Sequence, residues 1–319
     1  MRVSVVNAEY VDWAPRRMQG SRKNYLTAEA RLIPGSFEYH RPASLPDALT
    51  LLSGLDADAR VIAGGHSLIP MMKLRLALPS HLIDLAALPE LRGIRLEGSD
   101  IVIGAMTTQH ELIGSDLLAT RAPILRETAE LIADPQVRYM GTLGGNVANG
   151  DPGNDMPALM MCLGASYVLR GAAGERRVAA RDYYNGAYDT AAAPGEILTA
   201  VRFAAPPQSH GYAYEKLKRK VGDYATAAAA VVLTLVEGKV ATCSIGLTNV
   251  ASTPLFAAAA AEATIGSALD KATLARAAAA AEANASPAAD ARGSAQYRKK
   301  MAGVMTHRAL SRAFARATG

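Results

Sequence analysis

Cysteine is almost missing from this 319-residue chain: Cys162 and Cys243 are its only two, each alone in an apolar stretch. A 2Fe–2S cluster normally needs four thiolates, and a structural zinc site needs a grouped set of Cys and His. The chain therefore cannot hold an iron–sulfur cluster unaided, and no metal site is expected. Two lone thiols fit a reducing cytoplasm better than secretion, and a disulfide between them is disfavoured. Long apolar runs are missing too. None reaches the roughly 18 residues of a membrane span, and the N-terminus lacks the continuous apolar stretch of a signal peptide. Charge of one sign is scarce: 34 Lys and Arg against 29 Asp and Glu leave a formal +5. That excess permits contact with an acidic partner and does not argue for nucleic acid.

What remains is an ordinary globular balance, half apolar and a fifth charged, on a chain long enough for more than one compact unit. Residues 1–31 stand apart. They hold the only Trp, mix charges without a clear period, and carry two basic pairs, Arg16–Arg17 and Arg22–Lys23. They read as an N-terminal extension, with a partner-binding arm as the alternative.

From Ile33 the pattern becomes regular. PASLPDALTLLSGL predicts a helix and ARVIAGG a short buried strand. SLIPMMKLRLAL predicts a helix with Pro70 in its first turn. HLIDL and DIVIGAM read as strands, and Thr108 with Glu111 has capping-box spacing. PILRETAELIA reads as a helix ending at an ADP turn. ASYVLR and RRVAARDYY form a hairpin pattern, and EILTAVRF a strand. The doublet Pro206–Pro207 is the best boundary. Beyond it, YAYEKLKRK, AAVVLTLV and VATCSIGL read as strands, and three Ala-rich stretches as helices.

Two short motifs invite a chemical reading: AGGHS, residues 63–67, and TLGGN, residues 142–146. A glycine pair between a strand and a helix lets backbone N–H groups converge on an anion with no Cβ in the way. The following helix adds its partial positive charge. Ser67 brings a hydroxyl and Asn146 an amide. Neither motif is a G-x-G-x-x-G or a P-loop, so a Rossmann or Walker site is disfavoured. One such loop alone is weak. Two of them suit the two sides of a pyrophosphate.

Other residues carry two readings each. Asp155 is a helix N-cap, a carboxylate for ribose hydroxyls or a flavin ring N–H, or both. His66 is a proton donor or a side chain pointing aside. Tyr224 is a packed aromatic or a ring against a planar cofactor. KLKRK, residues 216–220, is a solvated face, with docking to an acidic partner second.

Taken together, AGGHSLIPMMKLR, IGAMTTQHELI, ADPQVRYMGTLGGNVANGDPGNDMPA and YEKLKRKVGDYATAAAAVVL resemble the flavin subunits of the xanthine dehydrogenase and molybdenum hydroxylase family. Within it, GDPGNDMPA and KLKRKVGDYATA resemble the FAD-binding medium subunits of aerobic carbon monoxide dehydrogenases. The likeness covers about residues 32–316. It implies an α+β chain with three parts: the extension 1–31, a vanillyl-alcohol-oxidase (PCMH) type FAD-binding domain over 32–207, and a C-terminal domain over 208–319 with a three-stranded antiparallel sheet and helices. It implies FAD as the cofactor, with its pyrophosphate on Ala63, Gly64, Gly65, His66 and Ser67 and on Thr142, Leu143, Gly144, Gly145 and Asn146. The acidic contact falls on Asp155 and a strand contact to the flavin near Leu198. Tyr224 is the candidate against the isoalloxazine. A Lys of xanthine-oxidising relatives aligns with Thr226, a departure that argues against an NAD-reducing site arranged as in those enzymes.

The implied partners are a molybdopterin-binding large subunit and a 2Fe–2S small subunit, as a dimer of heterotrimers, with a quinone as acceptor. The implied location is the cytoplasm, including the inner face of its membrane. CO oxidation would occur on the large subunit, so no catalytic residue is expected here. The alternatives are a flavin subunit for a purine or N-heterocycle hydroxylase, a stand-alone FAD oxidoreductase, and a non-redox nucleotide-binding regulator.

Overall fold

The strand patterns pair into separate sheets, and the connections between them decide where the glycine motifs end up. The computed structural model describes residues 33–55 and 57–319, so the expected extension 1–31 lies outside the described residues. Three short strands, β1 (Glu38–His40), β2 (Arg60–Ile62) and β3 (His81–Asp84), form a parallel sheet in the order β1-β3-β2. Parallel strands need a crossover, and the helix Leu45–Gly54 provides it between β1 and β2. Its N-cap Ser44 accepts from the Asp47 N–H, with Pro46 in the first turn.

The next strands are β4 (Ile94–Glu97), β5 (Asp100–Gly104), β6 (Ser166–Gly171) and β7 (Gly174–Ala179), then a small ribbon of β8 (Tyr184–Gly186) and β9 (Asp189–Thr190), then β10 (Ile197–Ala204). Apart from the ribbon they form an antiparallel sheet ordered β4-β5-β10-β6-β7. The expected capping box is present: the Thr108 hydroxyl accepts from the Glu111 N–H and the Glu111 carboxylate accepts from the Thr108 N–H.

The last sheet holds β11 (Gly211–Leu217), β12 (Ala227–Val236), β13 (Lys239–Thr248) and β14 (Leu255–Phe256), antiparallel in chain order. Its three long strands are those expected. β14 adds two residues at the edge, too short a run to show as alternation in the sequence.

The helix Asp155–Cys162 joins the second and third sheets. DMPALMMC is apolar on nearly every side, a pattern that only an enclosed helix satisfies, and all eight residues are buried. Gly246 lets β13 lie directly against it: a Cβ there would sit 2.1 Å from the Ala158 carbonyl oxygen. The Cys162 thiol donates to the Ser244 carbonyl at 3.2 Å, and both cysteines are free. Glu127 adds a polar stitch, accepting from the Tyr214 N–H at 2.6 Å and pairing with Arg312 and Arg316 of the C-terminal helix.

Alanine dominates the C-terminal core because backbones approach closely there. Ala227–Ala230 are fully buried, and the helix Ala295–Thr318 packs over β11 and β12. A Cβ on Gly211 would lie 2.0 Å from the Ala313 carbonyl oxygen. Several expected helices are shorter than their patterns. FAAAAAEATIGSAL is α-helical only over Ala258–Glu262, and SLIPMMKLRLAL only over Leu68–Lys73, where Arg75 at φ 58° turns the chain away. The ADP turn proves to be a helix start, with Asp134 capping Pro135–Met140.

Candidate functional site

The first glycine motif leaves the C-terminal end of β2 and meets the second motif at once. A Cβ on Gly64 would sit 2.1 Å from the Met140 carbonyl oxygen and 2.9 Å from the Gly141 Cα. A Cβ on Gly145 would reach the Ala63 Cβ at 3.4 Å. The fold thus brings residues 63–64 against 140–145, and Gly64 is required by that contact. Gly65 is required by conformation, at φ 74°, in the left-handed region where glycine carries no Cβ penalty. The N–H groups of Gly65, His66, Ser67 and Leu68 donate to no acceptor among the described residues. The Ser67 hydroxyl makes no capping bond. The exposed His66 ring donates from Nδ1 to the Gly64 carbonyl at 2.8 Å and so braces the turn from outside.

The second motif differs from expectation. It is the start of a helix, Leu143–Ala148, with Thr142 as N-cap accepting from the Gly145 N–H at 3.0 Å. The Leu143 N–H donates to the Thr107 carbonyl at 2.8 Å, Gly144 to Ala105 at 2.8 Å, and Asn146 to Thr142 at 3.0 Å. Its backbone donors are engaged within the protein because the motif sits directly on residues 105–107. A Cβ on Gly144 would be 2.5 Å from the Ala105 Cβ. Asn146 is a brace as well: its Oδ1 accepts from the Met156 N–H at 3.3 Å and its carbonyl from Asn154 Nδ2 at 2.8 Å.

Two buried amides beside this motif stand out only in three dimensions. Gln109 donates its N–H to the Gly141 carbonyl at 2.9 Å, yet both polar atoms of its side chain have no partner among the described residues. Asn149 Nδ2 is in the same state. A buried amide without a partner costs about 1–3 kcal/mol, so each is a candidate to meet a ligand. The capping box at Thr108 gave the one sequence signal near Gln109, and it speaks of a helix start and not of a ligand.

Asp155 lies in the first turn of the buried helix, but Asn154 takes the cap position. The Asp155 carboxylate accepts from the Tyr214 hydroxyl at 2.5 Å and from Lys216 Nζ at 2.7 Å. Burial, and then the Asp155 charge, push the Tyr214 phenol well above its ordinary range. The Lys216 side chain is 1% exposed and also donates to the Leu131 carbonyl at 3.2 Å. The KLKRK segment is therefore not wholly the solvated face its composition suggested: Lys216 is a core ion-pair partner, while Arg219 and Lys220 are exposed. Burial, and then the neighbouring Lys216 charge, lower the Lys218 ammonium.

Leu198 is 2% exposed and packs in the core of β10, next to an irregularity in register between Leu198 and Ala200. The neighbouring Thr199 carbonyl accepts from the Ala105 N–H at 2.8 Å, which ties this strand to the residue beneath Gly144. Tyr224 is exposed, and its ring lies beside the loop after the second motif: a Cβ on Gly153 would be 3.1 Å from Tyr224 Cδ1. In that loop, burial raises the Asp151 carboxyl despite bonds from the Gly153 N–H at 2.8 Å and the Tyr188 hydroxyl at 3.1 Å. Thr226 is buried, with its carbonyl accepting from Arg298 Nε at 3.3 Å.

Comparison with known proteins shows the family of the chain. The family described as the FAD binding domain in molybdopterin dehydrogenase matches residues 35–206, and the CO dehydrogenase flavoprotein C-terminal domain matches residues 212–313. The chain is 68% identical to the carbon monoxide dehydrogenase medium chain of Afipia carboxidovorans, covering 90% of this chain and 99% of that one. It is 50% identical to the medium chain of Hydrogenophaga pseudoflava, covering 89% and 99%. The crystal structure of a Cu,Mo-CO dehydrogenase in its cyanide-inactivated form contains a chain that superimposes with a TM-score of 0.88 at 68% identity, covering 89% and 99%. Among the described residues, no helix is long and apolar enough to cross a membrane. This chain belongs to the family of FAD-binding medium chains of molybdopterin dehydrogenases, on the branch of the carbon monoxide dehydrogenases.

Proposed function

We propose that the paired glycine motifs hold the pyrophosphate of FAD and that this chain is the flavin-carrying medium subunit of a Cu,Mo carbon monoxide dehydrogenase. The observation that carries the reading is the contact of Ala63 and Gly64 with residues 140–145, with the neighbouring donors of Gly65 to Leu68 left open among the described residues. Preorganised N–H groups suit an anion because they need no rearrangement when it arrives. The residues present fit the group. The first motif supplies backbone donors and the Ser67 hydroxyl, with His66 bracing the turn. The second supplies a floor, through Thr142, Leu143, Gly144, Gly145 and Asn146, flanked by the unpartnered amides of Gln109 and Asn149. Asp155 acts by position, tied to Lys216 and Tyr214, and Leu198 packs beneath. Tyr224 presents an exposed ring for the isoalloxazine.

When bound, FAD supplies the capacity to take electrons and release them to an acceptor. The chain's own residues bind and orient it. In the complete reaction, CO and water give CO2, two protons and two electrons on a molybdopterin-binding large subunit. A 2Fe–2S small subunit passes the electrons here, and a quinone receives them. Two free cysteines, one of them buried, support this division, since they cannot ligate a cluster. The same reading divides the chain at residue 207, sets 1–31 apart as an extension, and places a dimer of heterotrimers in the cytoplasm.

The test is the absorbance spectrum and a denaturing gel of the protein purified from its native host. Flavin bands with iron–sulfur absorption, two accompanying subunits and CO-dependent dye reduction are expected. A colourless single chain that takes up no added FAD overturns the assignment.

A further inference from the structure

The sheet that carries the first glycine motif has a second cluster of side chains, at its opposite edge. Glu38 and His40 are two residues apart on β1, so they face the same side. His81 pairs directly with Glu38 across the β1/β3 register, which puts its side chain on that side as well. The three meet there. His40 Nε2 lies 3.1 Å from His81 Nδ1, and Glu38 Oε2 lies 3.5 Å from His81 Nδ1 and 4.0 Å from His40 Nε2. Tyr39, on the other side of the strand, bonds to Asp84 and takes no part.

The geometry points to a site for one divalent transition-metal ion, held by His40 Nε2, His81 Nδ1 and Glu38 Oε2. Two ring nitrogens 3.1 Å apart share one proton, since one must donate and the other accept. An ion placed about 2.0–2.1 Å from each would see them at about 100°, near the tetrahedral value. For the ion to take both nitrogens, the ring that donates carries its proton on its other nitrogen instead, so that both imidazoles bind in the neutral form. Two imidazoles and one carboxylate suit Zn2+, Cu2+ or Ni2+, whereas Mg2+ and Ca2+ ask for oxygen ligands. The imidazoles are largely sheltered, with side chains 23% and 17% exposed, while the Glu38 side chain at 74% is free to swing inward and close the third position. The remaining coordination is open to water on the Glu38 side. These ligand atoms are the one group of three His, Cys, Asp or Glu within 4.8 Å of one another among the described residues. The ion would clasp the edge strand β1 to β3, and the inference stands apart from the flavin reading.

The test uses the full chain without an affinity tag, stripped with a chelator and titrated with ZnCl2. One ion per chain is expected, with a Kd at or below about 10 µM. His40→Gln and His81→Gln each weaken it at least about tenfold, and Glu38→Gln weakens it about threefold. Flavin content is unchanged in Glu38→Gln, which separates this result from the fate of the FAD assignment. No binding, or equal affinity in His40→Gln and His81→Gln, overturns the site. Should those variants fold poorly, X-ray absorption of the zinc-loaded unaltered chain decides: two imidazoles per zinc supports the site, and one or none overturns it.

Discussion

The two glycine motifs read alike in sequence and act differently in the fold. AGGHS follows a strand and leaves a run of N–H donors without acceptors among the described residues; TLGGN begins a capped helix whose N–H groups are engaged with Thr107, Ala105 and Thr142. Their glycines differ in the same way. Gly65 is there for its positive φ, while Gly64 and Gly144 are there because another backbone lies within reach of where a Cβ would be. A glycine pair in a sequence therefore signals either an open anion cradle or a tight packing contact. Only the surroundings tell which.

The comparison can be broken most severely at the joint behind the second motif. Lys216→Met leaves Asp155 charged and buried without its cation, and is expected to cost about 3–5 kcal/mol in a urea melt. Adding Asp155→Leu to that variant recovers most of the loss if the pair matters only as a pair. Next come Gly64→Ala and Gly144→Ala, each pressing a methyl into backbone, at about 3 kcal/mol. They should separate in function: Gly64→Ala parts the motifs and lowers flavin content of the purified protein, whereas Gly144→Ala lowers the melting temperature first. Equal flavin loss in both at matched stability would erase the distinction drawn here.

Gly65→Ala tests mainly conformation, since the added methyl would meet, at 2.7 Å, only the far end of the flexible Ile69 side chain. Strain of about 1–2 kcal/mol in the open motif should weaken FAD binding about tenfold by fluorescence titration, with a smaller shift in melting. The smallest effects set the two motifs' polar side chains against each other. Thr142→Val removes a cap worth about 1 kcal/mol and should leave FAD affinity nearly intact. His66→Ala removes an exposed brace, changes stability by less than about 0.5 kcal/mol, and should show its effect in FAD off-rate. A stability loss from His66→Ala larger than that from Thr142→Val would contradict these roles.

Much of the fold was legible in advance. The alternating runs HLIDL, DIVIGAM and AAVVLTLV appear as strands, and the Thr108–Glu111 spacing appears as a capping box. Helix lengths were harder. The run FAAAAAEATIGSAL has strong intrinsic propensity, but only five residues of it are α-helical, since propensity is a weak prior beside tertiary packing. Of the candidate site, the motifs themselves could be picked out, while the burial of Lys216 against Asp155 could not. A lysine in KLKRK is chemically the same whether its strand faces water or a buried carboxylate 61 positions away in the chain.

By itself, the sequence determined the α+β character, the glycine motifs, the inability to ligate an iron–sulfur cluster and the family, because composition, periodicity and local motif chemistry do not depend on distant contacts. The tertiary structure alone decided which motif keeps its donors open, that Gln109 and Asn149 Nδ2 stand unpartnered among the described residues, and that Glu38, His40 and His81 converge. Each of those facts depends on which atoms from far along the chain occupy the neighbouring few ångströms. That is set by strand register and by backbone-to-backbone approach, and neither is written in any single stretch of residues.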